Sequence, residues 1–99
     1  MENIKIIDFF ATWCAPCRMM EQNLNKVEER FKNVTVVKID IDKYPELKTN
    51  YEVTSLPTLL FKNSKGEIVD RKIGVISEKD INDTIRKIIE SEKEVTDND

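Results

Sequence analysis

Trp13-Cys14-Ala15-Pro16-Cys17 holds the only two cysteines of the chain, three positions apart. Two thiols at that spacing can close a disulfide across the start of a helix and reopen it, which makes a two-electron redox couple. Only a thiolate attacks a disulfide, so the two sulfurs must differ in acidity. A cysteine at a helix N-terminus faces unpaired backbone N–H groups and the positive end of the helix dipole, which lowers its pKa. Cys14 takes that place and is expected to be the exposed, acidic thiol. Cys17 shares a stripe with Met20 and Leu24 at spacings of three and four, so it is expected to be buried and less acidic. Cys14 then attacks a substrate disulfide, and Cys17 attacks Cys14 to release the reduced substrate. Pro16 suits the first helical turn and stiffens it. The competing readings are a static disulfide or half of a zinc site. Zinc wants typically four N, S or O ligands, and this chain has no histidine and no third cysteine.

Asp8 is the second candidate. A carboxylate inside Ile6-Ile7-Asp8-Phe9-Phe10 is costly to bury without a partner or a task. One strand-length before the cysteine pair, it can lie behind Cys17. Burial raises its pKa, and a base poised there can take the Cys17 proton. Lys38, on what reads as the neighbouring strand, could pair with it. Trp13, beside the exposed thiol, is expected at a surface.

These side chains need a strand and a helix to place them. Ile4 to Phe10 reads as a strand buried on both faces. Cys17, Met20, Leu24, Val27 and Phe31 mark one face of a helix ending near Phe31. Val34 to Ile41, rich in β-branched residues, returns to a strand and completes a βαβ unit. Asp42 is expected to cap a short helix with Pro45 in its first turn, ending near Tyr51. Thr58 to Lys62 and Ile68 to Ile73 read as a hairpin turning at Asn63-Ser64-Lys65-Gly66. Ser77 can cap a last helix whose inner face is Ile81, Ile85, Ile88 and Ile89. Residues 1–91 then form one α/β domain, and the acidic tail from residue 92 to 99 is expected to fray.

Bulk properties narrow the classes. The chain has 99 residues, 39% hydrophobic and 35% charged, as expected for one globular domain. A net charge of −3 leaves no basic footprint for nucleic acid or an anionic membrane. No apolar run approaches the ~20 residues of a membrane span. The N-terminus, Met-Glu-Asn-Ile-Lys, lacks the basic and apolar regions of a signal peptide, so a cytoplasmic location is expected. In a reducing cytosol a lone C-x-x-C is a catalytic or metal-binding pair before it is a structural staple.

The order β-α-β-α-β-β-α, with the cysteines at the first strand-to-helix junction, resembles the thioredoxin family. Asp-Phe-Phe-Ala-Thr-Trp-Cys-Ala-Pro-Cys-Arg-Met (8–19) is similar to its active-site segment. Val-Lys-Ile-Asp-Ile-Asp (37–42) is similar to its next strand, and Ser-Leu-Pro-Thr (55–58) to the segment carrying its cis-proline. Gly66 and Gly74 fall where the family has glycines. The likeness covers nearly the whole chain. It departs in three places. The strand and helix that usually precede the strand at Ile4 have no counterpart here, Ala15 replaces the usual Gly, and Gln22 replaces a helix-kinking proline.

The resemblance implies a four-stranded mixed sheet flanked by helices and the reduction of protein disulfides without a bound cofactor, the pair being reduced by an external thioredoxin reductase. It assigns the base role to Asp8 together with Lys38. It makes the Leu56–Pro57 bond cis, whereas only about 5–6% of X-Pro bonds are cis in folded proteins. A cis turn would expose the Leu56 backbone to an extended substrate segment. It gathers Trp13, Leu56, Pro57, Ile73, Gly74 and Val75 around Cys14 as a flat apolar docking surface for disulfide-bearing clients. Three other classes stay open. One is a binding module with a vestigial pair, disfavoured by the intact motif. Another is an oxidant or isomerase, disfavoured by Ala15-Pro16. The third is a glutaredoxin, disfavoured by Arg18-Met19 and by the lack of a Gly-Gly pair after Pro57. Without a preceding strand, Val34–Ile41 should be a sheet edge, giving a monomer or a weak dimer through that edge.

Overall fold

The structure is a computed structural model and describes residues 3–97. Its elements are β1 (Ile4–Phe10), α1 (Ala15–Arg30), β2 (Val34–Asp40), α2 (Pro45–Asn50), β3 (Thr58–Lys62), β4 (Ile68–Ile73) and α3 (Glu78–Asp97). The four strands form one mixed sheet in the order β2-β1-β3-β4. β1 runs parallel to β2 and antiparallel to β3, and β3 is antiparallel to β4. The element order β-α-β-α-β-β-α and the four-stranded mixed sheet are the expected ones.

β1 explains the layering. Successive side chains of a strand point to opposite faces. Ile4 and Ile6 meet Met20, Leu24 and Val27 of α1 and Ile81, Ile85 and Ile88 of α3. Ile7 and Phe9 face the other side, with Leu60, Ile41 and Val53 and, from α2, Leu47. Both faces are therefore covered, which is why the run is continuously apolar. Each fully buried aliphatic side chain stabilises by about 1.5–3 kcal/mol.

The ends of the elements follow local chemistry. The Ser77 Oγ accepts the Asp80 N–H at 3.1 Å, as a helix cap should. In the β3–β4 turn, Asn63 Oδ1 accepts the N–H groups of Lys65 and Glu67, both at 3.0 Å, and Gly66 takes a φ of +84°.

One expectation about element ends is corrected. Asp42 does not cap α2. Its N-cap is Tyr44, without a side-chain cap bond, and Pro45 opens the helix. The Asp42 carboxylate is engaged elsewhere, by Trp13. α3 runs on into the segment read as a tail, to Asp97. Nothing in Ser91-Glu92-Lys93-Glu94 breaks a helix, and Glu and Lys are good helix formers. The last two residues of that tail lie outside the described residues.

β2 does lie at the margin of the sheet. Its outer side is partly closed. The Val34 N–H donates to the Phe31 carbonyl at 3.3 Å, and the Val36 N–H donates to Glu28 Oε2 of α1 at 3.2 Å.

Candidate active site

β1 and α1 meet at Ala11–Cys14, where the chain turns from the sheet into the helix. Cys14 is the N-cap of α1 and Pro16 lies in its first turn. The pair is joined as a disulfide, Cys14–Cys17, with the Cα atoms 5.3 Å apart. The Cys17 N–H donates to Cys14 Sγ at 3.2 Å. One of the orphan amides of the helix start is therefore aimed at the Cys14 sulfur, the arrangement that favours a thiolate there.

The expected contrast in burial is corrected. Cys14 is 5% exposed and Cys17 3%, so both belong to the core cluster beneath α2. Access to Cys14 comes from a groove instead, a cavity of about 470 Å³ lined by Trp13, Cys14, Pro16, Lys48, Ser55 and Leu56, among others.

Trp13 is 67% exposed and its position is fixed. The indole Nε1–H donates to Asp42 Oδ2 at 2.8 Å, tying the cysteine loop to the end of β2. Across the groove the Leu56–Pro57 bond is cis, as the resemblance implied and the bare X-Pro statistic did not. The Pro57 carbonyl accepts the Gly74 N–H at 2.8 Å, and Gly74 has a φ of +87°. That bond brings the segment Ile73-Gly74-Val75 beside Pro57. Ile73 and Val75 expose apolar side chains there. Leu56 and Pro16 line the groove beside Cys14.

Asp8 is 1% exposed. It shares the sheet face of Ile4 and Ile6, on which α1 packs. Burial pushes its carboxyl up from 3.8 to about 6; the Lys38 ammonium lowers it and the Glu21 carboxylate raises it. Lys38 is the residue directly across from Asp8 in the β1–β2 register. The expected Asp8–Lys38 ion pair does not form. Lys38 Nζ pairs with Glu21 Oε1 on α1 at 2.7 Å, and no protein group donates to Asp8 Oδ1. A flexible lysine at a sheet margin reaches the half-exposed carboxylate at lower desolvation cost than the buried one.

Three residues of the neighbourhood were missed in the sequence: Glu21, Asp42 and Glu28. Glu21 had a readable signal, since it falls four residues after Cys17 on the same side of the helix, with a lysine due on the adjoining strand. Among the described residues no cluster of three or more ligating side chains could hold a metal ion, and no helix is long and apolar enough to cross a membrane.

A redox-active pair at the N-cap of the first helix, a cis-proline opposite it and a buried aspartate on the adjoining strand define a thiol–disulfide oxidoreductase of the thioredoxin fold. Residues 1–87 match the family model described as Thioredoxin. The chain is 39% identical over 89 residues to thioredoxin of Listeria monocytogenes, covering 89% of this chain and 85% of that one. It is 50% identical over 72 residues to a thioredoxin-like protein of Synechocystis, covering 71% and 67%. Among solved structures, oxidised mitochondrial thioredoxin 3 of Saccharomyces cerevisiae superposes with a TM-score of 0.78 at 33% identity, covering 86% of this chain and 78% of that one. The chain belongs to the thioredoxin family.

Proposed function

We propose that the protein is a protein-disulfide reductase of the cytoplasm, which takes electrons from a thioredoxin reductase and passes them to client proteins through Cys14 and Cys17. The observation that carries this reading is the position of Cys14. It is the N-cap of α1, its sulfur accepts a hydrogen bond from a backbone amide, and it borders an open groove. The Cys14 thiolate attacks one sulfur of a client disulfide, and the other client sulfur leaves as a thiolate that solvent protonates. The Cys17 thiol gives its proton to the Asp8 carboxylate, and its thiolate attacks Cys14 Sγ. The mixed disulfide breaks, the second client sulfur leaves reduced, and the Cys14–Cys17 disulfide remains. Two electrons from the reductase reopen it, so no bound cofactor is needed.

Client segments dock across Trp13, Pro16, Leu56, Pro57, Ile73, Gly74 and Val75. An extended client strand pairs with the Leu56 backbone, and the exposed apolar side chains supply contact area. Insulin reduction, run with and without a thioredoxin reductase and a nicotinamide reductant, tests the reading. Turnover that depends on the reductase is expected, and Cys14→Ser should abolish it. Turnover equal to the reductant-only background would contradict it.

A further inference from the structure

Lys38 lies directly across from Asp8 in the sheet register, on the same face, yet its ammonium is bound 2.7 Å away by Glu21. Glu21 is on α1, one turn beyond Cys17, so it shares a helix side with the resolving cysteine. Asp8 meanwhile keeps a buried oxygen to which nothing donates. The charged groups that act on Asp8 are Lys38 from β2 and Glu21 from α1; β3 presents Leu59 across from it. The lysine thus has two carboxylates to choose between, and the helix holds it.

We propose that Glu21 is a positioning residue for the resolving step: it holds the Lys38 ammonium toward α1 and leaves the buried Asp8 free to accept the Cys17 proton. The inference rests on the base role proposed for Asp8 and adds the residue that controls it. Two effects of Glu21 act in the same direction. It holds the Lys38 ammonium in its own ion pair, so that the cation lowers the Asp8 carboxyl from a distance rather than by direct contact, and it adds a second negative charge that raises it. A better base results, because a carboxylate whose conjugate acid titrates near neutral pH accepts a thiol proton more readily than an ordinary one. The step itself is a proton transfer from Cys17 Sγ–H to Asp8, followed by attack of the Cys17 thiolate on Cys14 and loss of the client thiolate. No oxidant or metal enters.

The test compares the wild-type protein with Glu21→Gln, which keeps the size and removes the charge, and Glu21→Asp, which keeps the charge. Two quantities are read: the Asp8 carboxyl titration by carbon NMR in the reduced protein, and the single-turnover rate of resolution from pH 5 to 8. Glu21→Gln should free Lys38 toward Asp8 and lower the Asp8 midpoint by about one pH unit, the size a newly adjacent opposite charge produces. The acid limb of the rate profile should move down with it, and the plateau rate should fall several-fold. Glu21→Asp should restore most of both. A merely structural role for Glu21 would change stability and leave the midpoint in place. An unmoved Asp8 midpoint in Glu21→Gln overturns the proposal. A midpoint that moves while the rate profile stays fixed upholds the control of Asp8 by Glu21 and overturns the base role of Asp8.

Discussion

Asp8 is the residue whose energetics constrain the protein most. Its carboxyl titrates at about 6 in the folded chain, against 3.8 ordinarily, chiefly because it is buried. The folded chain therefore binds the proton more tightly than the unfolded chain, and stability falls as pH rises from about 4 through 6. A carboxyl raised from 3.8 to about 6 costs about 3 kcal/mol of stability at pH 7. Asp8→Asn should therefore stabilise the fold at pH 7 by about 2 kcal/mol, raising Tm by about 10 °C, with the gain vanishing near pH 4. Thermal unfolding at the two pH values checks this. A variant less stable at pH 7 would mean that the carboxylate makes a favourable contact. The cysteines make the second residue-scale prediction. Cys17→Ser should leave Cys14 free to attack but unable to be released, so client mixed disulfides accumulate and are recovered by non-reducing electrophoresis. Rapid alkylation that labels Cys17 before Cys14 would reverse the assignment.

At the scale of elements, the edge strand β2 is the exposed margin of the sheet, and its protection is uneven. Val34 and Val36 have partners for their outward N–H groups in Phe31 and Glu28. Glu28→Ala should uncover that edge, so amide exchange at Val36 should quicken and self-association by sedimentation should rise. Unchanged exchange at Val36 would show that the Glu28 contact does not guard the strand. At the start of α3, Ser77→Ala should cost about 1 kcal/mol by urea unfolding, the usual worth of a lost N-cap. The elements were legible in the sequence because their signals are local. Continuous apolar runs, a three-and-four stripe and the Asn63–Gly66 turn each carry their own period or backbone preference. Side-chain partnerships were not legible. Asp42 reads as a cap before Pro45, yet Trp13 from a loop 29 residues away takes its carboxylate. Lys38 reads as the partner of Asp8 by register, yet a helix side chain competes for it more cheaply. At the C-terminus acidic composition reads as a tail, while helix propensity and the lack of a breaker carry α3 to Asp97.

For the whole molecule, the sheet holds the reactive pair at one end of a rigid strand–helix junction, with helices covering both faces. The fold buries both cysteines and borders only Cys14 with a groove, and that arrangement sets how strongly each redox form is favoured. The Cys14 environment contains a backbone amide donor, and Ala15-Pro16 adds no charge between the sulfurs. A strongly oxidising member of the fold needs its reduced form stabilised much further. The reduction potential of the Cys14–Cys17 couple, measured by equilibration against dithiothreitol and quantitation of the two forms, is therefore the most direct measure of the proposed reductase role. A value within about 30 mV of about −270 mV, the figure typical of thioredoxins, is expected. A value above about −200 mV, in the range of disulfide isomerases and oxidants, would contradict it.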